Sequence, residues 1–200
     1  VAVMAVMVQR VAAAGPAVNY VKTLGQSNVK GPPLRTVGSR ISLDKEGNLY
    51  LCGMVNDPWN ALMKLAPDGR VIWETACSGN GVVLTAVDGD YVYVASNRNL
   101  LRRFTLSAGV MDATWGFGPV EWNGLPQPLG EGFPHFSSPS SLVASGTYLY
   151  VTDRGGDELL RLAKATGKAR PFKIRLMVVA PADIAKAENG TLLLSPTTAG

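Results

Sequence analysis

The chain has 200 residues, 46% of them hydrophobic and 17% charged, a balance that fits a folded domain and excludes a disordered one. Its net charge of +4 comes from Lys and Arg scattered singly, not gathered into a patch or tail, so no nucleic-acid partner is expected. The 22 glycines and 13 prolines fall between short runs rich in Val, Leu and Tyr, which is the punctuation of many short strands.

In chain order, the opening run VAVMAVMVQRV is too short to span a membrane. It also lacks the basic start of a signal peptide, and Arg10 interrupts it. It matches the outer strands of a repeat that recurs downstream. Val8, Arg10 and Val11 alternate, Gly15 supplies a turn, and Asn19-Tyr20-Val21 is a last strand, so residues 1–24 are read as the outer half of one unit.

Four strand pairs come next, at Leu49-Tyr50-Leu51, Val92-Tyr93-Val94, Leu149-Tyr150-Val151 and Leu192-Leu193-Leu194. Their centres lie 43, 57 and 43 positions apart (50 to 93, 93 to 150, 150 to 193). Each is preceded by a turn signal, Glu46-Gly47, Asp88-Gly89, Ser145-Gly146 or Asn189-Gly190, and by an apolar stretch around Ile41, Leu84, Leu142 or Ile184. Three are followed by a third strand of fixed spacing, seen in Asn60 to Leu65, Asn99 to Phe104 and Asp157 to Leu162. Gly69, Gly109 and Gly167 then close a turn before a fourth strand such as Arg70 to Glu74. The unit is four antiparallel strands in about 40 to 60 residues, the size of a β-propeller blade.

The expected fold is therefore all-β, a propeller of four-stranded blades. Blades are placed at 38–75, 82–115 and 139–174, an inner half blade at 181–195, and a long connection at 116–138. Three whole blades and two halves make about four, the lower limit for closure, so the array is read as part of a longer propeller whose missing blades belong to the same chain, the alternative being closure by joining the terminal halves into one composite blade. Unpaired strand edges and uncovered blade faces would then make the isolated chain self-associate or unfold at modest temperature.

The stretch Pro139-Ser-Ser-Leu142, Ser145-Gly146-Thr147, Tyr148 to Thr152, Asp153 and Asp157 to Leu162 resembles an NHL repeat. Pro181-Ala-Asp183-Ile184 begins another copy and residues 83–115 form a weaker one. The aspartate after the second strand is present only as Asp153, with Gly53, Ser96 and Pro196 at the corresponding places. The resemblance implies a propeller related to gluconolactonase-like lactonases, peptidyl-amidating lyases, YWTD modules and bacterial surface propellers. Such a fold does not select one chemistry.

Functional candidates come from the loops. The connections from strand two to three, and from one blade to the next, share one face and are the long ones here: Met54 to Trp59, Arg154 to Gly156 and 116–138. Trp59, Trp122, His135 and Phe136 are candidate ligand-binding residues; the aromatics of 116–138 form either a ligand cradle or a cover over the boundary between blades. No G-x-S-x-G, H-E-x-x-H or P-loop pattern occurs, and His135 is the only histidine, so no catalytic residue is assigned. Arg40, Val83, Ser141 and Asp183 form a row at the start of the inner strands, toward the channel mouth. Asp183 is the candidate ligand for a divalent cation there, Arg40 and Asp183 are candidates for other ligands, and no other cofactor is expected.

Arg10, Lys64, Arg103 and Arg161 are read as an exposed strand face, and Tyr50, Tyr93 and Tyr150 as core. Cys52 and Cys77 lack CxxC spacing, which excludes structural zinc; two free thiols are expected, with one disulfide as the alternative. The function expected is a non-catalytic binding or scaffold propeller that recognises a protein, glycan or small ligand on its long-loop face, in an extracytoplasmic or surface setting. The alternative is a metal-assisted lactonase-like or lyase-like enzyme acting at the channel mouth.

Overall fold

A computed structural model describes residues 4–6, 22–24, 41–56, 59–79, 83–96, 100–116, 136, 138–156, 158–167, 174–175, 181–187 and 189–196. They form five antiparallel sheets. A two-stranded sheet pairs β1 (Met4–Val6) with β2 (Lys22–Leu24). A four-stranded sheet is next, with β3 (Ser42–Leu43), β4 (Leu49–Asn56), β5 (Trp59–Leu65) and β6 (Val71–Gly79) in that order. Then comes a three-stranded sheet of β7 (Val83–Asp88), β8 (Tyr91–Ser96) and β9 (Leu100–Thr105). A second four-stranded sheet holds β10 (Pro139–Ser145), β11 (Tyr148–Asp153), β12 (Glu158–Ala163) and β13 (Ile174–Arg175). The last pairs β14 (Pro181–Lys186) with β15 (Leu192–Pro196).

Within each sheet every strand pairs with the next in sequence, and the first strands of successive sheets, β3, β7, β10 and β14, pack against one another in turn. This is the arrangement of propeller blades around an axis. The repeat register is regular. Tyr50, Tyr93 and Tyr150 lie opposite Lys64, Arg103 and Arg161 on the third strand, and opposite Ser42, Ala86 and Val143 on the first.

Because the sheets stack face to face, the middle strands are covered on both sides and carry continuous apolar runs in place of an alternating pattern. Tyr50, Cys52 and Leu62 face Val83, Val92, Val94, Leu100 and Phe104 across the first boundary. Leu84, Tyr93 and Leu101 meet Leu142, Leu149, Val151, Leu160 and Leu162 across the second. A Leu or Phe buried at such a boundary contributes about 1.5–3 kcal/mol.

Two expectations are corrected here. The middle sheet has three strands among the described residues, its fourth reduced to a single bridge between Phe104 and Met111. Asp112 is the cause. Its carboxylate accepts from the backbone N–H and the hydroxyl of Thr114, at 3.0 and 2.6 Å, and bends the chain before a strand can extend. Cys52 and Cys77, expected as free thiols, are joined in a disulfide. They sit on β4 and β6, on either side of β5, and the register of β6 slips between Ala76 and Ser78, which leaves Cys77 as the extra residue of a bulge beside Cys52. In the first sheet, the strands expected at Val8 to Val11 and at Asn19 to Val21 fall outside the described residues, and the pairing present is Met4–Val6 with Lys22–Leu24.

Candidate functional site

The inner-strand mouth is built by two bulges. The registers of β10 with β11 and of β14 with β15 slip between Pro139 and Ser141 and between Pro181 and Asp183. Both bulges come after a proline, which has no N–H to give to a ladder. They place Ser141 and Asp183 at equivalent positions, and Ser141 Oγ lies 2.9 Å from Asp183 Oδ1 and 3.3 Å from the Ile184 carbonyl, to either of which it donates. Ser141 is 1% exposed and Asp183 is partly exposed. Counted from the tyrosine register, the same row passes through Leu84 and not through Val83. At the preceding boundary Ser42 Oγ donates to Thr85 Oγ1 at 2.9 Å, and Thr85 is buried. The mouth residues thus connect neighbouring sheets.

Next to Ser141, Asp153 is 1% exposed at the end of β11. It accepts from the backbone N–H of Ser138 at 2.6 Å and of Gly155 at 3.2 Å, while the Arg154 N–H donates to the Ser138 carbonyl at 2.9 Å. This aspartate therefore anchors two connections on the long-loop face. Among the described residues, no three His, Cys, Asp or Glu side chains come together as metal ligands.

Of the other candidates, Trp59 pairs through its backbone with Gly79 and Asn56, while its side chain lies outside what is described. Arg40, Trp122 and His135 also lie outside the described residues. Phe136 is 1% exposed and packs in the core between the middle sheet and the next, the position of a cover.

Of the recurrent bases expected on an exposed face, Lys64 and Arg103 lie instead at boundaries between sheets, and Arg10 lies outside the described residues. The Lys64 and Arg103 side chains are only 13% and 18% exposed. Lys64 Nζ stands 5.3 Å from the Tyr50 ring centre and donates to the Leu106 carbonyl of the next sheet at 3.1 Å. The Arg103 guanidinium stacks 4.2 Å from Tyr91 and 5.1 Å from Trp115, and that of Arg161 4.5 Å from Tyr148. Long aliphatic stems and a cation over an aromatic face make such positions favourable.

Two acids hold these bases. Arg103 donates to Asp112 Oδ2 through Nη2 at 2.6 Å and Nε at 2.9 Å. The bonds from Thr114 and then those from Arg103 bring the Asp112 carboxyl down to about 2. Asp44 accepts from the Asn48 backbone and side chain, from the Tyr50 hydroxyl at 2.9 Å and faces Lys64 at 3.7 Å. Burial pushes its carboxyl up, but these donors together outweigh it and leave it below the usual range. The Tyr50 phenol is driven up, first by burial and then by its bond to Asp44.

Sequence reasoning missed a pair of tryptophan clamps. Trp73 Nε1 donates to the Leu106 carbonyl at 3.1 Å, and Trp115 Nε1 donates to the Lys164 carbonyl at 2.6 Å. Leu106 and Lys164 open equivalent turns after the third strands of the following sheets. Each turn closes with a glycine under the indole. Gly109 has φ +66°, and a Cβ there would stand 2.7 Å from the Trp73 ring. Lys164 also pairs with Asp88 of the preceding sheet. The signal available was a Trp shortly after a turn glycine, as in Gly69 and Trp73.

This geometry has counterparts in known proteins. The LVIVD repeat matches residues 84–102 and 138–158, the first two strands of two successive sheets and the beginning of the third strand in each. No curated protein matches the chain in sequence. Among solved structures, Kuenenia stuttgartiensis hydrazine synthase is similar at 16% identity and TM-score 0.58, over 91% of this chain and 47% of its own. A nidogen/laminin complex is similar at 11% identity and TM-score 0.56, over 82% and 58%. The computationally designed Ika4 protein is similar at 11% identity and TM-score 0.52, over 86% and 99%. The chain spans about half the length of the natural chains. These likenesses carry the fold, a β-propeller-type array, in which the LVIVD match falls on two of the sheets.

Proposed function

We propose that the chain is a binding or scaffold propeller, with NHL-like blades, that recognises a protein or glycan on the face made by its long connections. One observation carries this reading. Asp183, the acid available for cation chemistry at the mouth, accepts the hydroxyl of Ser141 from the neighbouring sheet and acts as a latch between blades. The similar nidogen/laminin structure is that of a propeller protein in complex with a protein, which supports a protein partner here.

On this reading Asp153 fixes the connections of that face, and Trp59, Trp122, His135 and Arg40 are the residues offered to the partner. Phe136, buried, roots the segment that carries Trp122 and His135. Arrays of immobilised glycans and of peptides test the reading. A hit that is lost in Trp59→Ala or Trp122→Ala, with the melting temperature unchanged, supports it. Calorimetric titration with calcium, zinc and manganese tests the enzyme alternative. Tight binding that disappears in Asp183→Asn, together with lactone hydrolysis, would overturn the non-catalytic reading.

A further inference from the structure

Asn189-Gly190-Thr191 is the one place in the 200 residues where an Asn is followed two positions later by Ser or Thr. That triplet is what enzymes read when they attach an oligosaccharide to an asparagine side chain. The fold sets it at the tip of the hairpin between β14 and β15. There the Ala187 N–H donates to the Thr191 carbonyl and the Gly190 N–H to the Ala187 carbonyl, both at 2.9 Å. Asn189, Gly190 and Thr191 are all exposed. A Cβ placed on Gly190 would meet no atom within 4 Å, so the tip stands clear of the rest of the molecule.

The same turn recurs between β5 and β6, where the Ala66 N–H donates to the Arg70 carbonyl at 2.9 Å and the Gly69 N–H to the Ala66 carbonyl at 2.8 Å. In it Asp68 Oδ1 accepts from the Arg70 N–H at 2.9 Å, as Asn189 Oδ1 accepts from the Thr191 N–H at 3.0 Å. The turn therefore asks for one acceptor oxygen before its glycine, which an aspartate supplies equally, and only for a backbone N–H after it. The carboxamide nitrogen of Asn189 and the hydroxyl of Thr191 are surplus to the turn. They are the two groups that distinguish a glycosylation triplet. A second observation concerns the compartment: the two cysteines of the chain, Cys52 and Cys77, are joined in a disulfide, a bond that persists in exported proteins and is rare in the cytosol.

We infer that the chain is exported and carries an N-linked oligosaccharide on Asn189, received from a lipid-pyrophosphate-linked sugar. In the transfer Asn189 Nδ2 bonds to the anomeric carbon of the first sugar, and the bond from that carbon to the pyrophosphate oxygen breaks. The lipid pyrophosphate leaves with the electron pair, and Nδ2 gives one proton to a base of the transferase. Oδ1 keeps its bond from the Thr191 N–H, so the substitution leaves the hairpin intact. Turns between first and second strands lie at the opposite end of each sheet from the connections between second and third strands. The glycan thus stands away from the long-loop face and leaves it open.

Mass spectrometry of the protein isolated from its own cells is the deciding experiment. The peptide that contains Asn189 is expected to carry hexose-type mass, and treatment with a peptide N-glycosidase should release it and leave Asp at 189. An unmodified Asn189 peptide would overturn the inference, as would two thiols open to alkylation before reduction. Secretion of the 200-residue chain from a glycosylating host tests the acceptor itself. The chain should run as a heavier, glycosidase-sensitive band. Thr191→Ser should keep that band, and Thr191→Ala and Asn189→Asp should lose it. Asn189→Asp supplies the same acceptor oxygen as Asp68, so it is expected to be secreted with the melting temperature of the deglycosylated parent. A parent secreted without the heavier band, or a band that survives in Asn189→Asp, counts against Asn189.

Discussion

The indole of Trp73 on β6 reaches across a sheet boundary to the Leu106 carbonyl and lies over Gly109, so that one residue closes the turn of the next sheet by a hydrogen bond and by contact. Gly109→Ala forces a Cβ to 2.7 Å from the ring at φ +66°. A loss of about 1–3 kcal/mol is expected from the backbone conformation alone. In Trp73→Ala the ring is gone, and the further cost of adding Gly109→Ala should fall. Urea melts of the two single variants and the double variant measure this coupling, and strict additivity would contradict the clamp.

Asp112 governs a pH window. Its carboxyl is lowered from the usual 3.8 to about 2, so the stability it brings is complete above pH 3.8 and is lost as pH falls through 2. Asp112→Asn should be less stable than the parent at neutral pH, and the difference should shrink between these two values. Thermal melts at a series of pH values, at low salt, test it. A constant difference down to pH 2 would show that Asp112 acts by shape and not by charge.

Tyr50→Phe removes the buried hydroxyl that donates to Asp44 and is expected to cost about 1 kcal/mol. It should also raise the Asp44 carboxyl toward the ordinary range, since one of the bonds that lower it is gone. Titration of that carboxyl by NMR in both proteins is the check.

Ser141→Ala separates latch from ligand site. If Ser141 and Asp183 join the sheets, the variant melts lower by roughly 1–3 kcal/mol of stability, because Asp183 loses a donor at a partly buried site. Calcium should not restore it. A rise in melting temperature on adding calcium to the parent, absent in Asp183→Asn, would favour the cation reading.

The strand pairs of the repeat were legible because glycine-bearing turns and Tyr-centred apolar triplets recur at a spacing that only stacked sheets explain. The inner row was legible at Ser141 and Asp183 and one residue off at Val83. Bulges after Pro139 and Pro181 shift the register of two sheets, and the middle sheet has none at that point. Lys64 and Arg103 misled, since a charged residue at alternate positions reads as solvent-facing. Its burial beside tyrosine becomes visible only once the next sheet supplies Leu106. The short fourth strand after Phe104 was hidden for a related reason. Asp112 with Thr114 two positions later is a common pair of residues, and nothing local says that its carboxylate also has to hold Arg103.

Both tryptophan clamps run in the same direction along the chain, from Trp73 to Leu106 and from Trp115 to Lys164. The array is accordingly polar, in the way that a row of hooks and eyes is polar. Removing the sheet on the carboxyl side of a boundary exposes the apolar ring of a bulky indole to water. Both cuts uncover the apolar faces of the boundary, but at the clamp itself removing the sheet on the amino side uncovers only a glycine turn, which water solvates readily. Cuts made from the two sides of one boundary are therefore unequal, and a shortened array should tolerate loss of its leading sheets better than loss of its trailing ones.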